Sequence, residues 1–273
     1  MNKFTGKVAV VTGAGSGIGR ALAVGLAQRG ARLALADVDE AGLTETVKAL
    51  PHTEVMTAKV DVSDRHSVAD FAREVKQRFG VVHQVYNNAG IAPIYQTVLE
   101  QDYRDYERTF AVNLWGTIHG TKEFLPHLIE SGDGHVVNIS SLNGIMAESG
   151  IGPYATTKFA VRGFTETLRV EMLKDKLPVK VSIVHPGGVK TNISRESHVE
   201  GVSAEEARRA KIYEEQLYTW TPAQAAERIL TDVARGKGRI CFAQTRWVDP
   251  MVRLFPSSYP RLAVWLEKRF FGS

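Results

Sequence analysis

Short apolar runs recur along the chain, each separated from the next by enough residues for one helix. The runs are Val8 to Thr12, Arg32 to Asp37, Val55 to Val60, Val82 to Tyr86, His135 to Ser140, Val179 to Val184 and Arg239 to Ala243. Helical patterns fall between them, at Arg20 to Arg29, Glu40 to Leu50, Ser67 to Phe79, a long segment from Gln101 to Glu130, and Tyr154 to Lys174. Strands with continuous apolar runs are buried on both faces. Seven of them alternating with helices predict an α/β fold, a doubly wound parallel seven-stranded sheet with helices on both faces. Ligands in such sheets bind outside the carboxyl ends of the strands.

Two segments depart from this rhythm. Residues 191–221 form a polar insertion with its own helix start, Ser203-Ala204-Glu205-Glu206 before Ala207 to Leu217, and a second start follows at Thr221-Pro222-Ala223-Gln224. An insertion at the active edge of a sheet is a candidate substrate lid, a plain surface excursion being the alternative. At the far end, residues 247–273 extend past the sheet. Leu262, Leu266 and Phe270 recur at every fourth position with Trp265 beside them, so Pro260 to Phe271 is expected to be an amphipathic helix. Packing on its own or a neighbouring subunit is the preferred reading, with covering a substrate cleft and lying on a membrane surface as equal alternatives.

Composition adds limits. The 273 residues hold 44% hydrophobic and 23% charged residues, as in an ordinary globular protein, and no linker or charge block divides them, so one domain spanning 1–273 is expected, with its core at about 5–245. The net charge is +4, and apart from the C-terminal region Lys and Arg are spread along the chain, which argues against nucleic acid as a partner. One cysteine, Cys241, excludes an intrachain disulfide and a cysteine-built metal site and fits a reducing, cytoplasmic setting. No apolar run near the N-terminus suggests a secretory signal, and none approaches the roughly 20 residues that span a bilayer. The eight histidines lack metal-ligand spacing, so no metal is expected, and His185 before Pro186 is read as structural. The absence of G-x-S-x-G argues against a serine hydrolase.

The first strand runs directly into Gly13-Ala14-Gly15-Ser16-Gly17-Ile18-Gly19 and then a helix. Glycine tolerates positive φ and admits a bulky ligand, while free N–H groups at the helix mouth attract an anion. A pyrophosphate is the expected occupant, although the spacing G-x-x-x-G-x-G departs from G-x-G-x-x-G and a ligand-free turn would account for the loop taken alone. Asp37 closes the second strand 18 residues after Gly19, where a carboxylate can accept from both ribose hydroxyls and repel a 2′-phosphate. A helix N-cap is its plainer reading. Tyr154 and Lys158 stand at i and i+4 on one helix face, a pairing in which a cation favours phenolate. Ser141 follows the fifth strand, 13 residues before Tyr154. Asn113, polar within an apolar helical stretch, either bends its helix or serves a hydrogen-bond network with a partner such as Lys158.

Taken together, Thr12-Gly13-x-x-x-Gly17-x-Gly19, Asp61-Val62, Asn87-Asn88-Ala89-Gly90, Asn113, Ser141, Tyr154 with Lys158, and Pro186-Gly187 resemble the short-chain dehydrogenase/reductase family over roughly residues 5 to 245. The resemblance implies a Rossmann-type fold and a reversible oxidation of alcohol to carbonyl with a nicotinamide dinucleotide. It implies Tyr154 as acid/base, Ser141 holding the substrate oxygen, Lys158 lowering the phenol pKa and gripping the ribose, and Asn113 anchoring a water-linked proton path. By the same resemblance the cofactor would meet Gly13, Ser16, Gly17, Ile18, Gly19, Asp37, Asp61, Val62, Asn88, Ala89, Gly90, Tyr154, Lys158, Pro186, Gly187, Val189 and Thr191. Asp37 points to NAD. NADP, with Arg20 accommodating the extra phosphate in a carbonyl reductase, is the alternative, and a non-catalytic dinucleotide sensor is a further one. Residues Ile91 to Tyr95, Leu142 to Ile151 and Thr191 to Trp220 are largely apolar and imply a bulky hydrophobic alcohol or ketone. A homotetramer or homodimer is expected through the helices at Gln101 to Glu130 and Tyr154 to Lys174, with Phe159, Phe164, Leu168 and Met172 supplying apolar surface.

Overall fold

The structure, a computed structural model, describes residues 3–191 and 218–271. Seven strands, β1 (Val8–Thr12), β2 (Arg32–Asp37), β3 (Val55–Lys59), β4 (Gln84–Asn87), β5 (Gly134–Ile139), β6 (Val179–His185) and β7 (Arg239–Cys241), form one sheet in the order β3-β2-β1-β4-β5-β6-β7. Every pairing is parallel, with Val10 opposite Ala34 on one side and Val85 on the other. The order reverses direction between β1 and β4, and a crevice opens at such a switch point.

Side chains alternate across β1, so the two faces of the sheet are filled by different helices. Ala9 and Val11 meet α1 (Gly17–Gln28), through Leu22 and Leu26, and α7 (Pro222–Ala234), through Ile229 and Leu230. Val8 and Val10 face α3 (Arg65–Phe79), α5 (Gly116–Glu130) and α6 (Gly152–Lys174), through Phe71, Val75, Phe124 and Leu128. Each such fully buried side chain stabilises the fold by about 1.5–3 kcal/mol. Leu168 and Met172 of α6 also lie in this second cluster. They are therefore core residues and not the surplus surface expected for subunit contact, because α6 turns them onto β6.

Helix starts follow the expected chemistry. Asp39 caps α2 (Glu40–Lys48) by accepting from the Gly42 amide at 3.0 Å, and Thr221 caps α7 in a reciprocal box with Gln224. Where a helix hands over to the next strand, Gly30, Gly80 and Gly132 take positive φ, as the reversal requires. The capping box at Ser203 and the helix expected over Ala207 to Leu217 lie outside the described residues.

The long helix expected over Gln101 to Glu130 is interrupted. It consists of α4 (Tyr103–Thr109), a π-helical segment Phe110–Trp115, and α5. Asn113 sits inside the π segment, fully buried. Beyond β7 the chain forms α8 (Thr245–Leu254) and α9 (Tyr259–Phe271), the first unanticipated because Pro250 falls inside it. Among the described residues no helix is long and apolar enough to cross a membrane.

Candidate active site

The seam between β1 and β4 is built by side chain to backbone bonds. Thr12 Oγ1 accepts from the amides of Asn88 (3.1 Å) and Ala89 (3.2 Å), and Asn88 Nδ2 donates to the carbonyls of Thr12 (3.1 Å) and Gly13 (3.2 Å). A Cβ on Gly13 would lie 2.8 Å from Ala89 Cα, and one on Gly19 would strike the Gly13 carbonyl. Only glycine allows the loop to fold this tightly. Gly13 and Gly17 adopt φ of +65° and +51°.

Ser16 caps α1 in extended backbone without turning its hydroxyl onto the first-turn amides, and that turn holds no acidic residue. Those amides thus remain available to an anion. Ile18 packs on the first core cluster, and Thr191 lies 3.5 Å from the position of a Gly17 Cβ, which brings the segment after β6 over the loop. Pro186 accepts from the Leu142 amide at 2.8 Å. Gly187 is crowded by Gln244, whose Oε1 accepts from Gly188 N at 2.9 Å, while Val189 bridges Trp220.

Asp37 lies at the rim. Its carboxylate accepts from Gly15 N at 2.7 Å and Asp39 N at 3.0 Å, so it braces the glycine loop as well as ending β2. The Arg20 guanidinium is held nearby by Thr46 Oγ1 (3.0 Å) and the carbonyls of Gly15 and Gly42. Asp61 is exposed, its Oδ1 accepting from Ser63 N and Oγ at 2.9 and 2.6 Å, and Val62 is buried against Gly116.

The chemical cluster forms where β4, β5, α6 and the π segment converge. Lys158 is buried, its Nζ 3.1 Å from the Ile139 carbonyl and 5.5 Å from the centre of the Tyr154 ring. Burial lowers its pKa to about 8 and raises that of the Tyr154 phenol, against which a hydrogen bond with Ser141 acts and to which Glu148 adds. Ser140 and Ser141 divide their work. Ser140 Oγ donates to the Lys158 carbonyl at 2.9 Å and pins α6 to the sheet, leaving Ser141 to face the phenol. Ser141 Oγ also accepts from Asn143 N at 3.2 Å, capping the short turn Leu142–Gly144.

Asn113 does both things the sequence allows. The helix changes pitch around it, and its side chain accepts from Ile91 N (2.8 Å) and donates to Ile91 O (2.9 Å) and Thr157 Oγ1 (3.3 Å). Its hydrogen-bond partners are thus Ile91 and Thr157, not Lys158. A Cβ on Gly90 would stand 3.2 Å from Asn113 Oδ1 and 3.4 Å from Lys158 Nζ, so glycine lets both groups approach the backbone closely here.

His185, read from the sequence as structural, lies behind Ser141. Its Nδ1 is 2.8 Å from the Ser141 carbonyl, which only accepts, so Nδ1 carries the proton. Its Nε2 is buried without a hydrogen-bond partner, and burial lowers the ring's pKa to about 4. No spacing signal in the chain marks this contact, because it joins residues 44 apart.

Comparison with known proteins gives the family. The family model for short chain dehydrogenases matches residues 7–200. SadH of Mycobacterium tuberculosis (strain ATCC 25618 / H37Rv), whose name places it among oxidoreductases, is 47% identical over 274 residues, covering 99% of both chains. Levodione reductase of Leifsonia aquatica is 34% identical over 193 residues, 69% of this chain and 72% of that one. A crystal structure of a short chain dehydrogenase/reductase from Burkholderia phymatum in complex with NAD superposes with a TM-score of 0.83 at 29% identity, covering 96% of this chain and 97% of that one. The chain belongs to the short chain dehydrogenase family. It is an oxidoreductase of that family, with the family's Rossmann-like seven-stranded sheet.

Proposed function

We propose that the protein oxidises a bulky hydrophobic alcohol to its carbonyl, and reduces it back, with NAD(H), using Tyr154, Ser141, Lys158 and Asn113. The observation that carries this reading is the convergence of the Tyr154 phenol, the Ser141 hydroxyl and the buried Lys158 beside the glycine-loop seam. The seam fits a dinucleotide. Uncapped amides at the mouth of α1 suit a pyrophosphate, and the glycines leave room that any Cβ would fill. Gly13, Ser16, Gly17, Ile18 and Gly19 would hold the pyrophosphate, Asp37 the ribose, Asp61 and Val62 the adenine, and Asn88, Ala89, Gly90, Pro186, Gly187, Val189 and Thr191 the nicotinamide half. When bound, the cofactor supplies the hydride chemistry and, oxidised, a positive ring.

The chain's residues handle the proton. Tyr154 takes it from the substrate hydroxyl or returns it to the carbonyl oxygen, while Ser141 holds that same oxygen. Lys158, as an ammonium beside the ring, favours the phenolate that burial alone disfavours. Asn113 fixes the Ile91 backbone and the Thr157 hydroxyl, which in turn donates to the Tyr154 carbonyl at 2.8 Å, and so holds the turn that carries the phenol.

Asp37 supports NAD over NADP, since its charge faces the rim where a 2′-phosphate would stand. Arg20 is engaged by three acceptors and is poorly placed to meet that phosphate instead. The test is an initial-rate matrix of NAD and NADP against small, aliphatic, aromatic and polycyclic alcohols. Turnover confined to NAD and the larger apolar alcohols is expected; higher kcat/KM with NADP, or a preference for small polar alcohols, overturns the respective half of the proposal.

A further inference from the structure

We infer that the face formed by α8 and α9 docks on an anionic lipid surface. Among the described residues, neither core cluster takes one from beyond Ala243. The attachment of α8 and α9 is at the root. Thr245 is buried and Asp249 is held by Arg239 (2.9 Å) and Arg253 (3.0 Å), which turns the acidic residue of α8 toward the sheet.

What faces outward is apolar and aromatic. Trp247 is 69% exposed, Leu254 72%, Phe255 58% and, on α9, Trp265 55%. Two of these indoles carry a guanidinium against the ring, Arg246 at 4.9 Å from Trp247 and Arg269 at 5.6 Å from Trp265. Arginines whose stems lie along apolar surface while their heads reach outward, together with tryptophan, are the side chains that settle at the headgroup level.

Charge decides between lipid and a second copy of the chain. Residues 245–271 hold Arg246, Arg253, Arg261, Lys268 and Arg269 against Asp249 and Glu267, a net of +3 out of +4 for the whole chain. A two-fold contact would set this excess against itself, and the centres of protein interfaces are depleted in charge. Anionic headgroups complement it. With 13 residues, α9 reaches only about 20 Å and lies along the surface rather than through it.

The full chain should sediment with vesicles of equal parts phosphatidylcholine and phosphatidylglycerol and not with phosphatidylcholine alone. Binding should weaken as salt shortens the screening length from about 10 Å at 0.1 M to about 3 Å at 1 M. The triple variant Arg261→Glu, Lys268→Glu, Arg269→Glu should lose partition by on the order of a hundredfold or more, each basic residue near an anionic surface contributing about fivefold. Trp247→Ala with Trp265→Ala should lose it too. Both variants should retain the dehydrogenase rate in vesicle-free solution, since none of these residues belongs to the active site. Failure of the full chain to prefer the anionic vesicles overturns the inference, as does equal binding by the variants. Dissociation of the variants into smaller species, without vesicle binding by the parent, would assign the face to a subunit contact instead.

Discussion

Lys158 brings an ammonium into a buried place where, among the described residues, the Ile139 carbonyl receives it. The native pKa of about 8 lies below the usual 10.5, so between these values the unfolded chain binds the extra proton. Stability contributed by this group therefore rises with pH across that window, and below pH 8 the buried charge costs the full amount. Lys158→Met should stabilise the ligand-free protein at pH 7 by on the order of 1–3 kcal/mol in denaturant melts while abolishing turnover. A loss of stability would show that the ammonium is better solvated than its burial indicates. Tyr154→Phe removes only the hydroxyl and should reduce kcat at least a thousandfold with dinucleotide affinity unchanged by fluorescence titration; near-normal turnover would take the acid/base role from Tyr154. The Tyr154 and Lys158 pair is legible in the sequence because a helix fixes i and i+4 neighbours by its own geometry. His185 behind Ser141 and Thr157 beneath Asn113 are not, because only the tertiary fold sets those contacts.

At the scale of the element, the π segment Phe110–Trp115 is the part of the fold the pattern least announces. An apolar run of that length looks helical throughout, and the lone clue is a buried asparagine with poor helix propensity. Asn113→Ala leaves the part-buried Ile91 amide and carbonyl without their side-chain partner, so a loss of about 1–3 kcal/mol in thermal or urea unfolding is expected, with kcat reduced further. Retention of full stability would mean that water replaces the amide. The glycine loop, by contrast, is legible in the sequence, and its link to β2 makes a separate prediction. In Asp37→Ser the NAD to NADP ratio of kcat/KM should fall at least tenfold, accompanied by some loosening of the loop because Gly15 N loses its acceptor. An unchanged ratio would place the determinant elsewhere. All seven strands keep the apolar runs expected of them to within two residues, since strands buried in a parallel sheet need apolar sequence; α8 is not legible in the sequence because Pro250 ordinarily signals an end.

For the whole molecule, acid is the direction of weakness. Buried His135 and His185 have pKa values lowered by desolvation to about 3 and about 4. As pH falls through 6.5 the unfolded chain takes up a proton at each position and the native chain does not, so each histidine withdraws about 1.4 kcal/mol of stability per pH unit down to its native pKa. Melting temperature should therefore drop steeply between pH 6.5 and 4, and His135→Gln should make the slope shallower; a flat profile would contradict neutral burial. Assembly is a second expectation at this scale. Trp115, Phe159, Val170 and Leu173 are exposed on α6 and the π segment, and we propose a dimer or tetramer through this region, which light scattering showing only monomer at micromolar concentration would refute. The parallel sheet has one more consequence. Since the proposed chemistry gathers at the carboxyl ends of the strands, the turns at Gly80 and Gly132, each with open space around its Cβ position, form a handle at the opposite end. A dye, a surface tether or an inserted peptide attached there would leave catalysis untouched, so the molecule can be gripped at one pole while it works at the other.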